Sequence, residues 1–183
     1  MRVITGQFKG RRLITPNDRS IRPATDRVKQ AVFDALCSRL VFENARILDL
    51  FAGTGSLGLE ALSRGAGSCV FVDSGANAVS CIEQNLAALD CSLRAKVIRS
   101  DAMRFVDTCR ERFHLIFADP PYAFPETASI PGWITRNNLL EPQGYLLIEH
   151  TKSLIFEKNP SLTCKLVKKF GTTCVSFFVH HEP

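Results

Sequence analysis

The sequence predicts an α/β fold in which helices cover both faces of a doubly wound, mostly parallel sheet. Two observations predict it. A short apolar strand at residues 46–51 leads into a glycine-rich loop and then a helix, which is the first unit of a nucleotide-binding α/β fold. Further along, strand-like apolar runs alternate with segments of helical periodicity, as in parallel strands joined by helices. The 183 residues suit one domain, 1–183, with 45% hydrophobic and 22% charged residues.

The elements can be assigned in chain order. Polar and apolar residues alternate over residues 2–14, with Gly10 near the turn, which predicts a basic β-hairpin. We therefore expect residues 1–24 to form an arm and residues 25–183 to form the core. Thr25 is a candidate N-cap for a helix that reaches about Leu40. Apolar runs predict strands at residues 46–51, 68–73, 94–99, 113–118, 144–149, 162–170 and 172–179. Helical spacing predicts the helices between them, at residues 56–64, 76–89, 102–110 and 127–138.

The glycine loop lies in the stretch A-R-I-L-D-L-F-A-G-T-G-S-L-G-L-E, residues 45–60. Gly53, Gly55 and Gly58 allow a tight turn and let backbone N–H groups approach a ligand at a helix N-terminus. The loop alone leaves two ligand classes open, a dinucleotide and S-adenosylmethionine. Asp49, four residues before Gly53, favours the second, because a carboxylate repels pyrophosphate but attracts an ammonium group. D-L-F-A-G-T-G also resembles the first motif of class I methyltransferases.

Four consecutive predicted core strands end in or are followed by an acid: Asp49, Asp73, Asp101 and Asp119. Ligands bind at the carboxyl ends of the strands in such sheets, so these acids predict one site. Asp73 lies 20 residues after Gly53, where a carboxylate can accept hydrogen bonds from both ribose hydroxyls. NAD-dependent enzymes place an acid at the same position, so Asp73 does not distinguish the two ligand classes. Asp101 suits an adenine amine, with the amide of Ala102 beside it. Its alternative role is that of an acid favoured by the dipole at a helix N-terminus.

Asp119-Pro120-Pro121-Tyr122 follows the fourth core strand. The two prolines remove two N–H donors and stop the strand. The Pro120 carbonyl and the Asp119 carboxylate are then two acceptors for the two protons of an exocyclic amine, and they hold its lone pair toward a methyl donor. Tyr122 can stack on the base, which has to be flipped out of any helix. The motif predicts methyl transfer to an amino group.

The positive charge is concentrated at the N-terminus. The formal net charge is +5, and residues 1–29 hold eight Lys and Arg side chains against two acids. The rest of the chain carries 15 basic and 16 acidic residues. Such an uneven distribution favours a phosphate-binding arm over an ordinary solvated face.

Five segments share one resemblance: R-V-I-T-G-Q-F-K-G-R-R-L, R-P-A-T-D-R-V-K-Q-A-V-F, F-A-G-T-G-S-L-G-L-E-A-L-S-R-G-A, D-P-P-Y and G-T-T-C-V-S-F-F. Together they closely resemble the RsmD family, which methylates a guanine N2 in 16S ribosomal RNA. The resemblance spans nearly the whole chain. It implies a Rossmann-like class I methyltransferase fold with a seven-stranded sheet, an antiparallel last strand and a small N-terminal hairpin and helix.

The resemblance also implies the site residues. The S-adenosylmethionine cofactor would contact Asp49, Phe51, Ala52, Gly53, Gly55, Asp73, Ser74, Asp101, Ala102 and Asp119. The catalytic residues for the flipped guanine would be Asp119, Pro120 and Tyr122. The contacts to 16S rRNA, within the small subunit or an assembly intermediate, would come from Lys9, Arg11, Arg12, Arg22, Thr25 and Arg27. The chain departs from many members at Gly75 and Ala76, where they carry a second acid and an Arg.

Two other functions stay open. An adenine-N6 DNA methyltransferase is compatible with D-P-P-Y, although such enzymes carry a separate target-recognition region. The second is a non-catalytic RNA-binding ribosome-assembly factor. The seven cysteines are odd in number and lack a C-x-x-C pair, which indicates a reducing cytoplasm and no zinc site. No apolar run is long enough for a membrane span, and we expect a monomer without a metal.

Overall fold

The computed structural model describes residues 1–15 and 26–181, which form a seven-stranded sheet with helices on both faces. The expectations for Arg22 and for Thr25 as an N-cap lie outside these residues. The strands are β1 (Arg46–Leu50), β2 (Ser68–Asp73), β3 (Ala95–Arg99), β4 (Phe113–Ala118), β5 (Leu140–Thr151), β6 (Leu162–Phe170) and β7 (Thr173–His180). The α-helices are α1 (Asp26–Cys37), α2 (Ser56–Ser63), α3 (Ala76–Ala88), α4 (Ala102–Thr108) and α5 (Ile130–Arg136). Short 3₁₀ turns cover Ser92–Arg94 and Pro125–Ser129.

The strand order is β3-β2-β1-β4-β5-β7-β6. The first five strands are parallel, whereas β7 is antiparallel to both β5 and β6. The predicted doubly wound sheet with an antiparallel last strand is therefore confirmed. Because the parallel strands run the same way, the carboxyl ends of β1 to β5 all reach one edge of the sheet.

Both faces of the sheet are buried, which explains why its strands read as continuous apolar runs. One face, with Ile47, Phe71 and Phe117, packs against α1, α2 and α3. The other, with Leu48 and Ile116, packs against α4 and α5. No helix in residues 1–15 and 26–181 has the length and apolarity needed to cross a membrane.

The N-terminal segment folds back on itself as the predicted hairpin. It has an antiparallel bridge between Arg2 and Arg12, and the N–H of Val3 donates to the carbonyl of Arg11 at 2.9 Å. Other backbone N–H groups of the hairpin donate to side chains of α2. Those of Ile4 and Thr5 donate to the Glu60 carboxylate at 2.8 and 3.0 Å, and that of Phe8 donates to the Ser63 hydroxyl at 2.9 Å. The hairpin is therefore held against α2.

A buried ionic cluster joins this hairpin to α1 and α2. The side chains of Lys29 and Glu60 are both 0% exposed, with Nζ and Oε2 3.5 Å apart. Lys29 also donates to the carbonyl of Arg2 at 2.6 Å, and Arg64 pairs with Glu60 at 3.0 Å. Burial lowers the pKa of Lys29, while Glu60 raises it. Lys29 is thus a structural cation, not part of a phosphate-binding surface.

We expect Glu60→Ala to lower the free energy of unfolding by roughly 3–5 kcal/mol, because it leaves a buried charge and two backbone donors unpaired. Urea unfolding followed by circular dichroism measures this. Glu83→Ala, at an exposed position on α3, is the control and should change stability by less than ~0.5 kcal/mol. A Glu60→Ala protein as stable as this control would show that the cluster contributes nothing.

Candidate active site

A cavity of about 810 Å³ opens at the carboxyl edge of the sheet. This size is typical of a site for a cofactor or another small ligand. Its walls come from the ends of β1, β2, β4 and β5, the glycine loop and the turn between β6 and β7. The predicted site residues that line it are Arg27, Asp49, Phe51, Ala52, Gly53, Asp73, Ser74, Asp101, Ala102, Asp119, Pro120 and Tyr122. The structure therefore brings together residues that are up to 95 positions apart in the chain.

The glycine loop is built from left-handed backbone conformations. Phe51 has a φ of 58° and Gly53 a φ of 55°, so the chain reverses directly after β1. A bulky residue at positive φ is strained, and its ring is held by an edge-on contact with Phe124, with centroids 5.1 Å apart. Gly55 does not line the cavity. A side chain there would come within 3.1 Å of Ile82, so this glycine serves packing behind the loop.

Asp73 organises the loop from the end of β2. Its two carboxylate oxygens accept from the N–H groups of Gly53 and Gly75, each at 2.8 Å. A carboxylate has about four lone-pair positions, so acceptor capacity remains on the cavity side. Gly75, which stands where many family members carry a second acid, therefore still binds Asp73, because it does so through its backbone N–H.

Asp101 is placed for both roles that the sequence suggests, helix N-terminal acid and ligand of the adenine. It is the N-cap of α4, where its side chain accepts from the N–H of Arg104 at 3.0 Å. It also lines the cavity, with Ala102 beside it. Capping of the helix holds the acid at the cavity wall.

Three carboxylates form the floor of the cavity. Asp49 is buried, and its Oδ2 accepts from the N–H of Gly58 at 2.9 Å. Asp119 and Glu149 follow paired residues of β4 and β5, since Ala118 pairs with Ile148. Burial raises the pKa of Asp119 well above its usual range, and the nearby charges of Glu149 and Asp49 raise it further. This floor favours a ligand that brings positive charge or hydrogen-bond donors.

The prolines end β4 as predicted, and the residues after them shape one wall. The carbonyl of Pro121 accepts from the N–H of Phe124 at 2.8 Å. No hydrogen bond within residues 1–15 and 26–181 occupies the carbonyl of Pro120. Tyr122 is half-exposed, and its hydroxyl lies 2.7 Å from that of Thr173 in β7. This contact joins the D-P-P-Y segment to the last hairpin.

Asp49 makes the stability of the cofactor-free protein depend on pH. Burial raises the pKa of Asp49 to about 8, and the charge of Asp73 adds to this, whereas the Gly58 hydrogen bond lowers it. The folded state thus keeps a proton that the unfolded state has lost, so stability falls as the pH rises from about 4 to about 8. Asp49→Asn removes this titration. Between pH 5 and pH 8 the free energy of unfolding should fall in both proteins. We expect the fall to be roughly 3 kcal/mol smaller in Asp49→Asn than in the wild type, measured by urea unfolding. Equal losses in both proteins would contradict the assignment.

The predicted RNA-binding residues are divided by the structure. Arg27 lines the cavity, whereas Lys9, Arg11 and Arg12 do not. Arg11 donates to the carbonyl of Ala88, the last residue of α3, at 2.6 Å. Of the arm, the structure describes residues 1–15, and there Arg11 lies against the carboxyl end of α3.

Sequence reasoning missed two parts of the site. Glu149 ends the predicted fifth strand, so the rule that identified the four aspartates applies equally to it. The turn between β6 and β7 also lines the cavity, with Lys169, Gly171 and Thr173. Its glycine and basic residues were visible in the sequence, but only the antiparallel pairing of β7 with β5 brings them to this edge.

Comparisons with known proteins agree with this geometry. A family model described as "Conserved hypothetical protein 95" matches residues 1–179. The chain is 37% identical to the Putative rRNA methyltransferase YlbH of Bacillus subtilis, over 97% of this chain and 98% of that protein. It is 34% identical to the Ribosomal RNA small subunit methyltransferase D of Haemophilus influenzae, over 100% of this chain and 94% of that protein. The solved structure of the putative methyltransferase yhhF from Escherichia coli superposes with a TM-score of 0.89 at 27% identity, covering 100% and 99% of the two chains.

Proposed function

Since this chain belongs to the RsmD family and has its class I methyltransferase fold, we propose that it methylates small-subunit ribosomal RNA with S-adenosylmethionine. The acceptor is the exocyclic N2 amine of one guanine in 16S rRNA. The observation that carries this proposal is the pair of acceptors at the end of β4, the Asp119 carboxylate and the Pro120 carbonyl, on the wall of the cavity.

The cavity fits S-adenosylmethionine better than a dinucleotide. Among residues 1–15 and 26–181, the acids of its lining are Asp49, Asp73, Asp101, Asp119 and Glu149, and the basic residues are Arg27 and Lys169. A pyrophosphate would bring more negative charge to these acids, whereas the ammonium and sulfonium groups of the cofactor would favour the ionised form of Asp49 and Asp119, whose pKa values are raised in the cofactor-free site. Asp73 and Asp101 would hold the ribose and the adenine, and the loop from Phe51 to Gly53 would enclose the methionine end. The cofactor supplies the methyl group.

The residues of the chain orient the amine. The Asp119 carboxylate and the Pro120 carbonyl accept its two protons, which directs the nitrogen lone pair away from both and toward the cofactor side of the cavity. Such a pair of acceptors also stabilises the positive charge that develops on nitrogen in the transition state. Asp119 or water takes the proton after transfer. Tyr122 stacks on the flipped guanine, and its hydrogen bond to Thr173 holds the ring in place.

The test is transfer of labelled methyl to three acceptors: small ribosomal subunits that lack the modification, free 16S RNA, and DNA. We expect label in ribosomal samples, mapped to one guanine as its N2-methyl form. Label in DNA alone would favour the adenine-N6 alternative. Cofactor binding without transfer to any acceptor would favour a non-catalytic assembly factor. We propose a cytoplasmic monomer, and preference for subunits over free RNA would show that it reads an assembled surface.

RNA contact is proposed first for Arg27, beside the opening of the cavity, and then for the exposed Lys9 and Arg12 on the arm. We expect Arg27→Glu to weaken RNA binding and to reduce the slope of log K against log salt by roughly 0.7–0.9, as for the loss of one phosphate contact. Filter binding over a range of salt concentrations measures both. Arg110→Glu, with the same charge change at the amino end of β4, should leave the slope unchanged. Equal effects of both changes would indicate only a general charge effect.

A further inference from the structure

Glu149 is a fifth acid of the site, and neither the motifs nor the proposed transfer step assigns it a role. It ends the parallel part of β5, next to Asp119, because Ala118 and Ile148 pair in the register of β4 and β5. Both side chains line the cavity. Their charges influence one another, since Glu149 raises the pKa of Asp119. Two carboxylates therefore lie side by side where the target base enters.

The position of Glu149 favours contact with the base over contact with the cofactor. A smaller cavity of about 40 Å³ lies on its other side, and Pro120, Pro121, Tyr122 and Glu149 all line that cavity. Glu149 thus stands on the D-P-P-Y side of the site. The glycine loop and the acids Asp49, Asp73 and Asp101 line the larger cavity but not this smaller one.

The Watson–Crick edge of guanine matches two adjacent carboxylates. The edge offers the two protons of the N2 amine and, next to them, the N1–H. Asp119 and the Pro120 carbonyl accept the two protons of the N2 amine, so the N1–H next to them would face Glu149. In adenine the atom next to the amine is a ring nitrogen with a lone pair, and a carboxylate opposite this lone pair makes no hydrogen bond and repels it.

We propose that Glu149 accepts the N1–H of the target guanine and thereby selects guanine over bases whose N1 is an acceptor. The inference rests on the proposed function, since it takes the N2 amine as the reacting group. Glu149 is then a specificity-determining residue that distinguishes the base by its donor pattern, while Asp119 orients the amine in either kind of base.

The test separates the reacting amine from the neighbouring N1. The RNA that accepts label from the wild type is prepared by ligation with either guanosine or 2-aminopurine riboside at the labelled position, and is assembled into subunits if these are needed. 2-Aminopurine keeps the 2-amino group but carries a lone pair at N1. The measured quantity is the ratio of kcat/KM for guanosine RNA to kcat/KM for 2-aminopurine RNA.

We expect the wild type to prefer guanosine by roughly 100-fold, as a site built to bind an N–H rejects an analogue that lacks it. Glu149→Gln should reduce this ratio to within ~5-fold, because the carboxamide can accept from the N1–H of guanine or donate to N1 of 2-aminopurine. Glu83→Gln, the same change at an exposed site on α3, should keep the wild-type ratio. Cofactor binding by calorimetry shows that each variant is folded.

The outcomes distinguish the two proposals. If the wild type methylates no guanine, the proposed function fails. If it methylates guanine N2 but uses both RNAs equally well, or if Glu149→Gln keeps the wild-type ratio, the inference about Glu149 is overturned and the proposed function stands. 2-Aminopurine also lacks the O6 oxygen of guanine, so the wild-type ratio alone does not isolate N1. If Glu149→Gln does not fold, Glu149→Ala, which removes the acceptor and should likewise reduce the ratio, is the deciding variant.

Discussion

Asp119→Ala should lower kcat by roughly 10²–10³-fold while the enzyme still binds S-adenosylmethionine, because the change removes an acceptor that orients and stabilises the reacting amine. The cofactor retains its contacts with Asp73, Asp101 and the glycine loop in this variant. Single-turnover methyl transfer measures the rate, and calorimetry measures cofactor affinity. Loss of activity with affinity intact would place the defect in the transfer step.

Asp119→Asn is the matched control for this prediction. Its carboxamide keeps the size of the side chain and one acceptor oxygen, but loses the negative charge. We expect a rate between those of the wild type and Asp119→Ala. Transfer by Asp119→Ala at more than about a tenth of the wild-type rate would exclude the two-acceptor mechanism, since an orienting hydrogen bond of this kind contributes more than that factor.

Gly53→Val should weaken cofactor binding by roughly 100-fold. Gly53 lines the cavity and has a φ of 55°, a conformation that strains a β-branched side chain by ~1–3 kcal/mol. The N–H that Gly53 donates to Asp73 at 2.8 Å would also shift, so the ribose acid would lose one of its two supports. Calorimetric titration with the cofactor measures the loss.

Gly65→Val tests whether backbone strain alone explains that loss. Gly65 has a φ of 105° and follows α2, and a Cβ there would meet no atom within 4 Å. The variant should lose stability, as any residue at positive φ does, but it should bind the cofactor with wild-type affinity. Equal losses of affinity in the two variants would mean that the glycine loop makes no direct contact with the cofactor.

Much of the fold was predictable because both faces of the sheet are buried. Burial on two sides requires continuous apolar runs, so β2 and β4 were predicted with the bounds that the structure has. β6, an edge strand that is mostly not buried, was also predicted with its bounds, as one strand of the closing hairpin around Gly171. β5 was predicted six residues too short: four at its start, L-E-P-Q, which carry no continuous apolar run, and two at its end, His150 and Thr151. The helix expected at residues 127–138 begins later, at Ile130, because Pro125–Ser129 form a 3₁₀ turn.

The N-terminal segment shows the limit of local reasoning. Its alternation and its glycine predicted the hairpin, but they could not predict that the N–H groups of Ile4 and Thr5 donate to the side chain of Glu60, more than 50 residues away. Lys29 contributed to the basic excess of the sequence, yet it is buried against Glu60. A charge count cannot separate a solvated cation from one that is paired in the core.

The sequence by itself determined the order of strands and helices, the glycine loop and the D-P-P-Y segment. These are local features, because periodicity and turn residues act over a few positions of the chain. Only the tertiary structure decided that Glu149 stands beside Asp119, that Thr173 contacts Tyr122 and that Arg11 binds the carbonyl of Ala88. Strand register and antiparallel return bring together residues that are distant in the chain, and those contacts follow from the packing of the whole sheet.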